Sequence, residues 1–157
     1  MHIMLTNDDG IFAPGLRELS KAAVAAGHRV TIFAPDSQRS AASHSITLTG
    51  PLRAERVPYG GIDAWAVNGT PADCAKLGLY LLRRSRPNCV LSGINKGSNR
   101  GAATLYSGTV AAALEASISG VPGVAVSLCA FRDDGYEHPY MSLKCASLRT
   151  QTCSGRI

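Results

Sequence analysis

Apolar positions along the chain fall into short runs separated by polar, glycine-rich breaks. His2 to Leu5 is a compact run of the kind that forms a short buried strand. Leu16, Leu19, Ala23 and Val24 recur at helical spacing, which predicts a helix over residues 16–26. Arg29 to Ala34 is a second apolar run, closed by Pro35-Asp36. Strand, helix and strand at this spacing make a βαβ unit, which implies parallel strands joined by a right-handed crossover. The fold class is therefore α/β.

The remaining pattern extends that unit. Ile46 to Val57 alternates as a strand or hairpin arm, a partner for Ala64 to Val67. Gly69-Thr70-Pro71 opens a helix running through Arg84, with Thr70 as N-cap, Pro71 at the first helical position and Asp73 in the first turn. Asn88 to Leu91 is a third core strand, and Ser92 to Gly101 reads as a glycine-rich loop. A small-residue helix begins at Thr104 or Ser107 and ends near Ser119, and Val121 to Leu128 is a further buried strand. Together these predict a Rossmann-like three-layer sandwich with a mostly parallel sheet and a β-hairpin extension. From Cys129 onward the pattern fades, and residues 141–157 keep no sustained period.

Composition narrows the class. With 157 residues, 45% of them hydrophobic, and 16 glycines, the chain suits one domain with many tight turns. No run is apolar enough to span a bilayer and the N-terminus lacks a secretory pattern, so a cytoplasmic protein without a membrane partner is expected. The net charge of +5 is scattered. Its one tight group, Arg83, Arg84 and Arg86, ends a predicted helix, where cations complement the dipole, which reads as a solvated helix end and not a nucleic-acid patch; the net positive charge favours an anionic small substrate. The five cysteines, at 74, 89, 129, 145 and 153, are odd in number and lack CxxC spacing, which argues against zinc and against a disulfide framework.

Chemistry concentrates where strand-to-helix loops converge, at the carboxyl ends of the strands. Asp8 and Asp9 follow the first strand directly. Two adjacent carboxylates repel unless one is protonated or a cation lies between them. If the first three strands are neighbours, this pair, a serine from the Asp36–Ser45 loop and Asn95 surround one point. Such hard oxygen donors suit Mg²⁺, Mn²⁺ or Ca²⁺. Asn7-Asp8-Asp9-Gly10 is equally a good turn, with Gly10 supplying positive φ, and the residues alone leave the two readings level. Ser107, Gly108 and Thr109 stand where a helix begins, so free N–H groups and two hydroxyls offer a phosphate seat, the plainer alternative being an N-cap. A metal and an anion seat together point to phosphoryl transfer or phosphate-ester hydrolysis. His2, His28 and His138 read as structural or surface residues, and His44 is the one histidine near the proposed site. No GxGxxG follows the first strand and no GxxxxGK[ST] occurs, which argues against a dinucleotide fingerprint and a P-loop ATPase.

TNDDG at 6–10, APDSQRSAASHSIT at 34–47, GTPADC at 69–74, SGINKGSN at 92–99 and YSGTVAAALE at 106–115 together resemble the stationary-phase survival protein SurE family. The likeness covers roughly residues 1–128. It implies a metal-dependent 5′-nucleotidase that hydrolyses nucleoside monophosphates, some members also trimming short polyphosphate. It further implies one divalent cation, Mg²⁺ or Mn²⁺, held by Asp8, Asp9, Ser40 and Asn95, with Asn95, Ser107, Gly108 and Thr109 on the phosphate side. Asp8 and Asp9 are then the catalytic carboxylates, with Asp8 closest to the attack as nucleophile, base or ligand. The family assembles as a homodimer or tetramer through a C-terminal arm that residues 141–157 do not match, so a phosphatase domain over 1–140, incomplete at its C-terminal end, and an atypical tail are expected. Two alternatives stand beside this: a catalytically incomplete remnant of such an enzyme, and a receiver-like phospho-signalling domain. The latter would need an aspartate after the third strand, where Ser92-Gly93 stand.

Overall fold

The computed structural model describes residues 1–39, 42–97, 99 and 101–128, together with the backbone of Met141–Lys144. In chain order the elements are β1 (His2–Thr6), α1 (Pro14–Ala25), β2 (Arg29–Pro35), β3 (Ala54–Val57), β4 (Asp63–Val67), α2 (Pro71–Leu81) and β5 (Cys89–Lys96). A 3₁₀ segment (Gly101–Tyr106), α3 (Gly108–Ile118), β6 (Gly123–Leu128) and β7 (Met141–Lys144) follow. The strands form one seven-stranded sheet in the order β3-β4-β2-β1-β5-β6-β7. The inner five run parallel, while β3 and β7 pair antiparallel at the two edges. The expected α/β class, parallel sheet and edge hairpin are all present.

Chain order explains where a site forms. From β1 the chain moves outward through β2 to β4, then returns to lay β5 on the other side of β1. Loops leaving β1 and β5 therefore diverge, and a crevice opens at their carboxyl ends.

Alternation along the strands builds two apolar layers. Ile3 and Leu5 of β1, with Ile32 of β2, face α1 and meet Leu16, Leu19 and Ala23. Met4, Phe33 and Val90 point the other way, into a layer closed by Cys74, Ala75 and Leu79 of α2 and Ala112 and Ala116 of α3. Met4 and Leu5 are fully buried, each contributing about 1.5–3 kcal/mol relative to exposure. Phe33 stacks on Trp65 of β4 with centroids 4.7 Å apart. At Gly78 of α2, a Cβ would lie 2.7 Å from the Met4 sulfur and 2.8 Å from the Phe33 ring, so the glycine sets how closely the helix lies on the sheet. Val24, which shares helical spacing with the core positions of α1, points into solvent instead.

The helix starts follow their local signals. Pro14 opens α1. Thr70 caps α2, its hydroxyl accepting from the Asp73 N–H while the Asp73 carboxylate accepts from the Thr70 N–H, a reciprocal pair that satisfies two otherwise free donors. Ser107, rather than Thr104, caps α3.

Element ends differ from the pattern in four places. Helix α2 stops at Leu81, three residues before Arg84; Arg83 turns back over the Tyr80 ring at 4.8 Å and donates to the Tyr80 carbonyl. Within 46–57 only Ala54–Val57 is strand, since the Thr47 N–H and hydroxyl are drawn away to Asp73. Ser92 to Lys96, read as loop, continues β5, with an irregular register against β6 between Ser92 and Asn95. Met141–Lys144, where the sequence shows no period, extends the sheet beside β6. Edge pairing is made by backbone groups and needs no alternation of side chains. Residues 145–157 of the expected tail lie outside the described residues.

Candidate active site at the ends of β1 and β5

The turn after β1 is built by its own side chains. Asn7, fully buried, donates from Nδ2 to the Gly10 carbonyl at 2.9 Å, and Gly10 takes a φ of +103° that favours glycine. The next amide, Ile11, donates to the Pro35 carbonyl at 2.8 Å, which fixes the exit of the turn on the end of β2. The turn reading of residues 7–10 holds. It also determines where the two carboxylates project.

Asp8 is buried against α3. Its Oδ1 accepts from the Thr109 hydroxyl at 2.6 Å, and Thr109 itself has no exposed surface. Gly108 permits this approach, because a Cβ there would lie 2.9 Å from the Asp8 Cβ and 3.0 Å from Pro71 Cγ. Asp9 turns toward β5, where its carboxylate accepts from the Lys96 N–H. Burial raises the Asp9 pKa above the ordinary carboxylate value, the adjacent Asp8 charge raises it further, and the Lys96 bond offsets part of the effect.

Asn95 precedes Lys96 at this end of β5. Its Nδ2 donates to the Gly97 carbonyl at 3.1 Å, leaving the amide oxygen as its acceptor for another group. The structure thus brings Asp8 to Ser107–Thr109 and Asp9 to the Asn95–Lys96 segment, across the β1–β5 crevice. Ser40 lies outside the described residues, although its neighbour Arg39 donates its N–H to the Asp8 carbonyl at 2.8 Å.

The hydroxyls of the α3 terminus are committed in a way spacing did not show. Ser107 Oγ accepts from the Val110 N–H at 3.2 Å, and Thr109 Oγ1 donates to Asp8. Ser107 keeps its hydroxyl hydrogen to donate, and the N–H groups of Gly108 and Thr109 lack acceptors within the helix. Ser107 is therefore an N-cap, and this terminus still offers donors to an anion.

Several contributors were not legible in the sequence. Thr6 and Ser92 are register partners on β1 and β5, both fully buried, and among the described residues each hydroxyl oxygen lacks a hydrogen-bond partner, as does Asn7 Oδ1. Buried oxygen atoms left in this state suit water or a hard cation. Among the described residues no group of three or more His, Cys, Asp or Glu is placed to hold a metal, so neutral oxygens must complete any coordination of Asp8 and Asp9. This donor chemistry fits a hard divalent cation such as Mg²⁺, Mn²⁺ or Ca²⁺. His2 bridges Ser85 and Thr31, a structural role as expected, and His138 lies outside the described residues. Cys74 is buried, which raises its thiol pKa, and Cys89 is half-buried; both are free thiols, and Cys129, Cys145 and Cys153 lie outside the described residues. Among the described residues, no helix is long and apolar enough to cross a membrane. A separate cleft of about 580 Å³ runs along α1 past Phe12, Arg17, Lys21 and Tyr59, and none of the candidate site residues lines it.

The chain is similar to known proteins over most of its length. A 5′-nucleotidase SurE from Parasynechococcus marenigrum is 51% identical over 137 residues, covering 84% of this chain and 51% of the relative. One from Prochlorococcus marinus is 49% identical over 135 residues, covering 84% of this chain and 52% of the relative. The crystal structure of the SurE protein from Aquifex aeolicus superposes with a TM-score of 0.75 at 40% identity, covering 85% of this chain and 53% of that one. The chain thus spans about half the length of the curated relatives it matches. Residues 3–154 match the family described as Survival protein SurE. With that match spanning nearly the whole sequence, on top of the shared sheet, the chain belongs to the SurE family.

Proposed function

We propose that this chain carries the catalytic core of a metal-dependent phosphomonoesterase acting on nucleoside 5′-monophosphates, with short polyphosphate as a secondary substrate. The observation that carries the reading is the Thr109–Asp8 hydrogen bond, which ties an acidic site to a helix N-terminus able to receive an anion. The relatives named 5′-nucleotidase support the reaction class.

Asp8, Asp9 and the Asn95 amide oxygen would hold one divalent cation, Mg²⁺ or Mn²⁺, with Ser40 as a further ligand. Bound there, the cation would neutralise phosphate charge and acidify a coordinated water. The N–H groups of Gly108 and Thr109 and the Ser107 hydroxyl would orient the phosphate oxygens. Asp8, its orientation fixed by Thr109, would stand closest to the attack on phosphorus. The working protein would be a cytoplasmic homodimer or tetramer.

The test is phosphate release from a panel of nucleoside monophosphates by the 157-residue chain with Mn²⁺, with Mg²⁺ and with chelator. Release that requires metal is the expected result. No release from a protein that still melts cooperatively would overturn the reading for this chain and leave it a catalytically incomplete remnant.

A further inference from the structure

His44 is the one histidine near the site in the sequence pattern, and the proposed chemistry gives it no task. Its ring Nε2 lies 3.0 Å from Oε2 of Glu115, a carboxylate on α3 whose side chain is only 7% exposed. A carboxylate accepts, so Nε2 carries the hydrogen. The other oxygen, Oε1, lies 3.4 Å from Lys76 Nζ on α2, but that side chain is 60% exposed, which makes His44 the more enclosed partner.

We infer that His44 is a positioning residue: by clasping Glu115 it holds residues 42–47, in the connection between β2 and β3, against α3, so that they and the phosphate seat at Ser107–Thr109 lie on one wall of the site. The inference rests on the phosphate reading of that helix terminus. Glu115 lies about 12 Å along the helix from Ser107, at about 1.5 Å per residue, so the clasp engages α3 in its last turn while the Ser43 contact engages it just before its first. The adjacent Ser43 takes a φ of +49°, a conformation that non-glycine residues adopt only when their surroundings impose it, and its N–H donates to the carbonyl of Tyr106, the residue just before the cap.

Further along, the Ser45 carbonyl accepts from the Thr70 hydroxyl at 2.7 Å, and Thr47 is bound to Asp73. At the start of the same loop, the Arg39 N–H is on the Asp8 carbonyl. One loop therefore touches the acidic turn at one end and both helices at the other. His44 is the side chain in it that reaches a buried charge on the phosphate-binding helix.

The test compares the parent chain with His44→Ala and His44→Gln, the glutamine being able to keep an N–H donor toward Glu115. Two quantities are read: hydrogen exchange at the Ser43 and Thr47 amides, and calorimetric affinity for inorganic phosphate in the presence of Mn²⁺. In His44→Ala those amides are expected to exchange about tenfold faster, and phosphate affinity to fall about tenfold, while the Ala75 and Ala112 amides in the helices keep their protection. His44→Gln is expected to restore most of both. Phosphate affinity equal to the parent's in His44→Ala, with or without faster exchange, overturns the positioning role alone. If the parent itself binds no phosphate, the functional reading falls first, and the exchange data still report whether the clasp orders the loop.

Discussion

Thr109 and Asp8, separated by 101 positions in the chain, are joined by a 2.6 Å hydrogen bond with almost no solvent access. The bond links the turn after the central strand to the first turn of α3. A hydroxyl donating to a buried carboxylate contributes about 1.5–3 kcal/mol, and losing it leaves the oxygen unsatisfied. Thr109→Val, which keeps the shape and removes the donor, should cost about 2 kcal/mol in denaturant unfolding and lower turnover roughly tenfold. Asp8→Asn should keep the fold yet reduce metal-dependent hydrolysis by about a hundredfold or more, as read from kcat beside an unfolding curve. Substantial activity in that variant would remove Asp8 from the chemistry.

Gly108 has its counterpart in the same contact. An alanine Cβ would lie 2.9 Å from Asp8 Cβ and 3.0 Å from Pro71 Cγ, closer than such atoms normally approach, so α3 or the Asp8 turn must shift. Gly108→Ala is expected to cost about 1–3 kcal/mol as overpacking and to weaken phosphate binding beyond what that loss explains. Calorimetric titration with inorganic phosphate, at a temperature where parent and variant are both folded, checks this.

The Asp9 carboxyl is held above its ordinary value of 3.8 by burial first and by the Asp8 charge second. For a carboxyl shifted upward, ionisation carries a penalty in the folded state that is absent below the ordinary value and complete above the folded one. The metal-free protein should therefore lose stability as pH rises through the folded Asp9 pKa, and Asp9→Asn should remove that loss and be the more stable at neutral pH. Added Mn²⁺ should raise the parent's Tm more at neutral than at acid pH, since binding must displace the proton. Melting curves in chelator and in Mn²⁺, from about pH 4 to pH 8, measure both effects.

Asp73 behaves in the opposite sense. Burial raises its pKa, but the hydrogen bonds from Thr47 and Thr70 outweigh that and bring the carboxyl below its ordinary 3.8. Its stabilisation is present above that ordinary value and fades as pH falls through the folded one. Asp73→Ala should cost about 2 kcal/mol or more at neutral pH, because it removes the cap pair of α2 and the brace on Thr47 together. The difference from the parent should narrow toward acid pH in paired unfolding titrations.

Much of the site's vocabulary was present in the sequence. The acidic pair after the first strand, Thr70-Pro71 opening α2 and Ser107 before α3 were readable because turns and caps are made among residues within a few positions of one another. Strand pattern was readable where side chains alternate between two apolar layers, as in β1 and β2. It failed where the backbone alone does the pairing, at β7 and at the extended end of β5.

What only the tertiary structure decided is which of these local pieces meet. Strand order placed β5 beside β1, and so placed Lys96 against Asp9. The packing of α3 on the sheet committed the Thr109 hydroxyl to Asp8, and set Glu115 where His44 could reach it. The sequence by itself determined the α/β elements, the acidic turn and the helix caps, since their energies depend on near neighbours in the chain. The pairings that make a site of them, spanning 71 to 101 residues, depend on how layers stack, and no local pattern records that.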